Sequence, residues 1–256
     1  MNQMVEKHKS KSWRRPLVVV LGPTAVGKTG LAIEWARALN GEIVSADSRQ
    51  IYRYMDIGTA KPTLEQRAAV PHYLLDVVEP DEQLGVAQYQ KMAYETIDAI
   101  TRAGRIPFLV GGTGQYITAV IEGWAIPAVP PNPSLRLELE AFAGSYGPLA
   151  LYERLKQADP AAAAGIDPYN VRRVVRALEV CMDSGQRFSE LRQKMPPPYS
   201  VLQYGLTMER DRLYEAADRR VDQMIEQGFV EEVQRLLQMG YSFQFPTAEQ
   251  ALKAIL

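Results

Sequence analysis

Sulfur and imidazole are scarce in this chain of 256 residues, which holds one cysteine, Cys181, and two histidines, His8 and His72. A single cysteine excludes an internal disulfide, and the pair of histidines cannot make up for the thiolates a zinc cage needs. A reducing compartment follows. Long apolar runs are missing too. No stretch approaches the roughly 20 apolar residues of a membrane span. The run Leu17 to Leu21 sits behind the basic residues Lys7, Lys9, Lys11, Arg14 and Arg15. It is cut at once by Gly22-Pro23 with no small-residue cleavage site after it, which excludes a secretion signal. The expectation is a cytoplasmic protein, with no membrane association, carrying a basic leader that is either a solvated tail or a nucleic-acid contact. Excess charge of one sign is also absent: 29 Lys and Arg stand against 30 Asp and Glu, a formal charge of −1. Where the cations lie, rather than their sum, then decides whether a polyanion can bind. There is no internal repeat, and the only low-complexity tract is Ala161 to Ala164.

What is present is ample apolar content, 46% of residues, enough for a sizeable core. In the first half, strand and helix patterns alternate. Leu17 to Leu21 is short, apolar and β-branched, as in a parallel strand buried on both faces. Lys28 to Leu39 follows as a helix stopped by Asn40-Gly41. Ile43-Val44 and Phe108 to Val110 are further strands, the second introduced by a helix over Gln88 to Ala103 and a turn at Gly104. Four prolines within residues 127–133 and the cluster Pro196 to Pro198 bracket a segment with helical spacing over Leu135 to Ala143, Leu149 to Gln157 and Val171 to Met182. Val201 to Thr207 then returns as a strand, and Arg212 to Met239 is a long helix ended by Gly240. The expected fold is α/β: a P-loop NTPase-like parallel sheet flanked by helices, formed by 14–126 and 198–256, with an inserted helical subdomain over 127–197.

The strongest chemical motif is Gly22-Pro23-Thr24-Ala25-Val26-Gly27-Lys28-Thr29, which fits GxxxxGK[ST] between a buried strand and a helix start. Its backbone N–H groups can surround phosphate oxygens, Lys28 neutralises them, and the Thr29 hydroxyl can hold Mg²⁺. The motif specifies a diphosphate or triphosphate and leaves the reaction open. Asp47 follows a strand and so falls at the carboxyl edge of the sheet, where open α/β sheets bind ligands. It could support Mg²⁺ or accept a proton, and Asp76 is a rival for the metal-linked role. Gly111-Gly112-Thr113-Gly114 brings bare backbone and a hydroxyl to the same edge. Arginines gather at Arg172, Arg173 and Arg176, and again at Arg210, Arg212, Arg219 and Arg220. Each cluster is either a solvated helix face or a phosphate contact. A small-molecule P-loop kinase would use the same loop for ATP, and an RNA-binding protein without turnover would use the same arginines.

Taken with Asp47 to Tyr52, Met55 to Pro62, Pro71 to Leu74, Leu109 to Gly114, Arg172 to Glu179 and Arg220 to Met224, the phosphate motif makes the chain resemble the tRNA isopentenyltransferase family from about Leu17 to Met239. The resemblance implies transfer of a dimethylallyl group from dimethylallyl diphosphate to N6 of the adenine at position 37 of tRNA. It implies Mg²⁺ as cofactor and a helical insertion gripping the anticodon stem-loop, in a monomer. It casts Asp47 as general base, with Thr113 and Arg220 serving the diphosphate. Asp47, Ser48, Arg49, Gln50, Arg136, Arg172, Arg173 and Arg176 become RNA contacts. The chain departs from the family pattern at Gln115 and Ala216-Ala217. The pattern also runs on past Ala254-Ile255 into a basic, aromatic segment, which implies relatives longer than a chain ending at Leu256.

Overall fold

This computed structural model describes residues 15–127, 129–191, 194–195 and 197–242. The basic leader through Arg14, Pro196 and the stretch from residue 243 lie outside them. In chain order the elements are β1 (Arg15–Leu21), α1 (Lys28–Ala38), β2 (Gly41–Ser45), α2 (Leu64–Ala69), β3 (His72–Tyr73) and α3 (Val86–Arg102). Next come β4 (Ile106–Gly111), α4 (Gly114–Glu122), α5 (Pro133–Tyr146), α6 (Pro148–Ala158), α7 (Pro160–Ala164) and α8 (Val171–Ser184). The chain closes with α9 (Phe188–Leu191), β5 (Tyr199–Gly205), α10 (Arg210–Glu226) and α11 (Phe229–Gln238). They divide into two compact units, Met1–Ile117 with Pro198–Leu256, and Thr118–Pro197.

The first unit is built on a five-stranded sheet of order β3-β2-β4-β1-β5 in which every pairing is parallel. Its centre explains the apolar run of β1: Leu17 to Val20 are buried, with Val19 opposite Leu109 on one side and Gln203 on the other. A strand buried on both faces has no position where a polar residue is cheap. Helix α1 lays its small residues Ala32 and Ala36 against this layer, both fully buried.

Strand order locates the ligand edge. From β1 the chain passes β4 to reach β2, whereas from β4 it passes β1 to reach β5. The neighbouring strands β1 and β4 therefore send their connections in opposite directions, and the crevice at their carboxyl ends is the topological switch point. The phosphate motif leaves β1 and the glycine-threonine turn leaves β4 on either side of it. Two glycines make the crevice tight. A Cβ at Gly111 would run into the Ala46 carbonyl beyond β2, and one at Gly22, which has φ +154°, would lie 2.6 Å from the Leu206 carbonyl oxygen beyond β5.

The expected single helix from Arg212 to Met239 is two. Gly228 takes a left-handed φ of 97°, which ends α10 and turns the chain into α11. Apolar spacing could not show this, because a left-handed residue rephases a helix without changing composition. Helix α2 also goes beyond the sequence reading, yet its start carries a full capping box, with the Thr63 hydroxyl on the Gln66 amide and the Gln66 side chain on the Thr63 amide. The division between units falls inside α4, ahead of the proline-rich stretch taken as the boundary.

The second unit has its own core, in which Leu139, Leu151, Leu155, Val174 and Leu178 are buried together. Within it lies Glu179, with no exposed surface. Its carboxylate accepts the Asn132 amide at 2.7 Å, Arg136 Nε at 2.8 Å and Nη2 at 2.9 Å, and Arg176 Nη1 at 2.5 Å. Burial alone would push this pKa up. The bonds from Arg136, the Asn132 amide and Arg176 outweigh burial and bring it from 4.5 down to about 2. A folded-state pKa below the ordinary value stabilises fully above about pH 4.5 and ceases to do so as pH falls towards 2. Glu179→Ala, which strands two arginines, should destabilise this unit by about 3–5 kcal/mol. Loss of hydrogen-exchange protection in α5 and α8 measures it, and protection unchanged at pH 7 would contradict the role given to the carboxylate.

Candidate active site

The phosphate motif forms its expected loop. Ala25 and Gly27 take left-handed conformations, with φ of 67° and 93°, and α1 begins at Lys28 with no side chain capping it and no acidic residue in its first turn. Its first amides are left for an anion, and the helix dipole adds positive potential there. Lys28 Nζ donates to the carbonyls of Gly22 at 3.0 Å and Pro23 at 2.8 Å. Burial lowers its pKa, Asp47 opposes the shift, and Arg220 adds to it. These three groups therefore share one electrostatic neighbourhood, although they come from α1, the end of β2 and α10.

Asp47 is held by a local turn and by a clamp from β4. Its Oδ1 accepts the Arg49 amide at 2.9 Å, and among the described residues its Oδ2 has no hydrogen-bond partner. The Thr113 hydroxyl accepts the Ser48 amide at 2.9 Å and donates to Ser48 Oγ at 3.2 Å, while the Thr113 amide donates to the Ala46 carbonyl at 3.1 Å. In this structure Thr113 binds the turn that carries Asp47. Gln50 is braced as well: it accepts from Ser45 Oγ at 3.1 Å and donates to the Ala60 carbonyl at 3.1 Å. Arg49 is exposed beside them.

Thr24, Lys28, Thr29, Asp47, Gln50 and Arg220 line one cavity of about 920 Å³, which Ile57, Pro62, Leu64 and Met224 line as well. Apolar and charged side chains thus meet in one space, as in pockets that orient a substrate through a few polar groups. At its other end Lys61, whose side chain is 1% exposed, donates to the Tyr52 carbonyl at 2.5 Å, Asp56 Oδ1 at 2.9 Å and Asp76 Oδ1 at 2.5 Å. Arg67 Nη1 takes the other Asp76 oxygen at 3.2 Å. Both oxygens of Asp76 are therefore engaged with cations, whereas Asp47 keeps one available.

The arginine clusters divide. Of the α10 arginines, Arg220 lines the cavity; Arg210 bonds Tyr214 at 2.9 Å and Arg219 faces Glu215 at 3.9 Å. In the second unit, Arg136 and Arg176 are held by Glu179, while Arg172 and Arg173 are exposed. The sequence reading gave no role to Ile57, Lys61 or Met224, yet all three lie within segments that carried the family resemblance, and that was the available signal.

A parallel α/β sheet with a phosphate loop and a carboxylate at its switch point defines a P-loop NTPase-like enzyme. Over residues 50–255 the sequence matches the IPP transferase family. It is 53% identical over 232 residues to the tRNA dimethylallyltransferase of Roseiflexus sp. (strain RS-1), covering 91% of this chain and 76% of that one. It is 52% identical over 227 residues to the tRNA dimethylallyltransferase of Thermomicrobium roseum, covering 89% and 69%. The structure is similar to that of the full-length tRNA isopentenylpyrophosphate transferase of Bacillus halodurans, with a TM-score of 0.60 and 47% identity over 88% of this chain and 71% of the other. It is similar also to a eukaryotic dimethylallyltransferase solved acting on tRNA, with a TM-score of 0.72 and 29% identity over 88% and 56%. This chain belongs to the IPP transferase family. No helix among the described residues is long and apolar enough to cross a membrane.

The pairing of Asp76 gives a first test. Asp76→Asn should lower the melting temperature by several degrees, because Lys61 and Arg67 lose their shared partner. It should leave the magnesium dependence of diphosphate binding unchanged, and a shifted dependence in titration calorimetry would return Asp76 to the metal-linked role.

Proposed function

We propose that this enzyme transfers a dimethylallyl group from dimethylallyl diphosphate to N6 of adenine 37 in tRNA, releasing diphosphate. The observation that carries the reading is the convergence of Lys28, Asp47 and Arg220 on one partly apolar cavity at the switch point, in a chain of the IPP transferase family. The phosphate loop takes the diphosphate, and Ile57, Pro62 and Met224 give the five-carbon tail a surface away from water.

The adenine amine is a weak nucleophile because its lone pair is delocalised into the ring. As its nitrogen bonds to the allylic carbon, the carbon–oxygen bond to diphosphate breaks and the amine loses a proton. Asp47 is the acceptor for that proton, since one of its oxygens is available and the Arg49 amide and the Thr113 clamp fix its carboxylate. Negative charge grows on the departing diphosphate, where Lys28, Arg220 and the first amides of α1 assist most. A donor suited to magnesium is at hand in the Thr29 hydroxyl, a hard oxygen. Among the described residues no group of three or more His, Cys, Asp or Glu could form a closed metal cage, which fits an ion that completes its shell with water and substrate phosphate. Bound there, Mg²⁺ would supply neutralisation of phosphate charge.

For tRNA, the exposed Arg172 and Arg173 are the phosphate contacts, and Arg49 with Ser48 meets the loop that presents the adenine. Arg136 and Arg176 act beneath them by way of Glu179, and Gln50 by bracing the turn. The target base has to leave its stack to reach a cavity, so an unpaired anticodon loop suits the site. The setting is cytoplasmic and the working unit a monomer.

Labelled dimethylallyl diphosphate, Mg²⁺ and unmodified tRNA, with ATP and candidate small acceptors in parallel, tests the reaction. Label in RNA is expected, and phosphoryl transfer to an acceptor without it would overturn the reading. Asp47→Asn should lower single-turnover prenyl transfer by about 10²- to 10⁴-fold with diphosphate affinity nearly unchanged. Strong recovery of the rate with excess Mg²⁺ would make Asp47 a metal support instead. Arg172→Ala with Arg173→Ala should flatten the log–log salt dependence of stem-loop binding by about 0.7 to 0.9 per lost contact. An unchanged slope would leave both residues as solvated surface.

A further inference from the structure

The wall of the cavity that carries Arg220 is weakly founded. Helix α10 has no buried residue, although it presents Arg220, Gln223 and Met224 to the cavity. At one end it follows β5, and at the other it is joined through Gln227-Gly228 to α11, which does reach the interior. There Glu232, 5% exposed, points its carboxylate at three consecutive amides of the loop after Met55. Oε2 accepts Asp56 N at 2.7 Å and Ile57 N at 2.8 Å, and Oε1 accepts Gly58 N at 3.0 Å. Successive amides converging in this way form an anion nest, here filled by a side chain from a distant part of the chain. The nest is rigid on its own side, because Asp56 is tied to buried Lys61 and through it to Asp76. Beside it a Cβ on Gly58 would run into the Phe229 ring, so α11 sits as close to this loop as glycine allows. A second hold lies past the end of α11, where Tyr241 donates to Glu79 at 2.8 Å.

We propose that Glu232 is a positioning residue for the diphosphate end of the site: by filling the 56–58 nest it docks the α10–α11 pair and so sets Arg220 against the phosphate loop. The inference rests on the reading that Arg220 meets the diphosphate. Glu232 does not line the cavity, and although Ile57 of the nest does, a probe without the five-carbon tail isolates the route through Arg220. Mutations at sites that do not touch combine additively unless one element joins them, and here that element is the helix pair.

The test is a double-mutant cycle on the full chain, with inorganic pyrophosphate and Mg²⁺ as the probe in titration calorimetry. Arg220→Ala should weaken binding by about tenfold or more, as for loss of a charged hydrogen bond. Glu232→Gln should weaken it in the native background and change it little once Arg220 is alanine. Gly58→Ala, which presses on Phe229 from the other side of the same joint, should show the same dependence on Arg220. Melting curves establish that each variant is folded. Equal effects of Glu232→Gln in both backgrounds, or none in either, would overturn the inference while leaving the site intact. Unchanged binding by Arg220→Ala would instead remove Arg220 from the diphosphate site, and the inference with it. In the unaltered chain, amides 56–58 should exchange as slowly as those of α11, and exchange at loop rates would also count against the joint.

Discussion

A missing carbon governs the site. Because Gly111 has no Cβ, the end of β4 can lie against the Ala46 carbonyl, and the chain beyond β2 is drawn onto the chain beyond β4. The next residues on either side are then Asp47 with Ser48 and Gly112 with Thr113, and the Thr113 clamp on Ser48 becomes possible. Gly112 also approaches the phosphate side, where a Cβ would stand 3.7 Å from Lys28 Nζ and 3.5 Å from the Gly22 carbonyl oxygen. The carboxylate read as the base and the lysine read as the phosphate partner are thereby fixed by one close approach of three strand ends. Small displacements in such a constellation are costly to rate, because the advantage of a held geometry falls away quickly with misplacement.

Much of this was legible in the sequence because its signals are local. The apolar β-branched run before Gly22, the GxxxxGK[ST] spacing and the aspartate after Ile43-Val44 each report on a strand end and the residues just beyond it, and a parallel sheet gathers its strand ends at one edge. The starts of α5 and α8 rest on equally local contacts, Asn132 and Asn170 accepting the amides of Leu135 and Arg173 three residues on. Left-handed Gly228 and the nest at 56–58 were not legible. The nest depends on a partner far along the chain, Glu232 being more than 170 residues from the amides it binds. No periodicity within a window can report that.

Charged residues were the least legible group. By composition Arg136 and Arg176 are indistinguishable from Arg172 and Arg173, yet the first two surround a fully buried carboxylate and the second two face solvent. Asp47 and Asp76 both come within three residues of an apolar pair, Ile43-Val44 and Leu74-Leu75, yet Lys61 and Arg67 occupy both oxygens of Asp76 and neither oxygen of Asp47. What separates a structural ion from a chemical one is whether its hydrogen-bonding capacity is already filled, and that is a property of packing. Buried pairs of the first kind cost desolvation and contribute little net stability. They hold Asp56 and the helical core in single arrangements, which a binding surface requires.

The same reasoning bears on Lys28. Half-buried, it is a cation in an unfavourable place: burial lowers its pKa, with Asp47 opposing the shift and Arg220 adding to it. It rests on two loop carbonyls, which accept hydrogen bonds and carry no charge. A diphosphate entering the loop would offer Lys28 anionic oxygens in place of those uncharged carbonyls. Part of the desolvation of Lys28 is thus met when the chain folds. What remains for the ligand is attraction in a site of low polarisability, and that attraction is greatest once the carbon–oxygen bond has broken and the diphosphate bears its full charge. A site arranged in this way favours the leaving group over the bound substrate, which is the direction in which binding becomes rate.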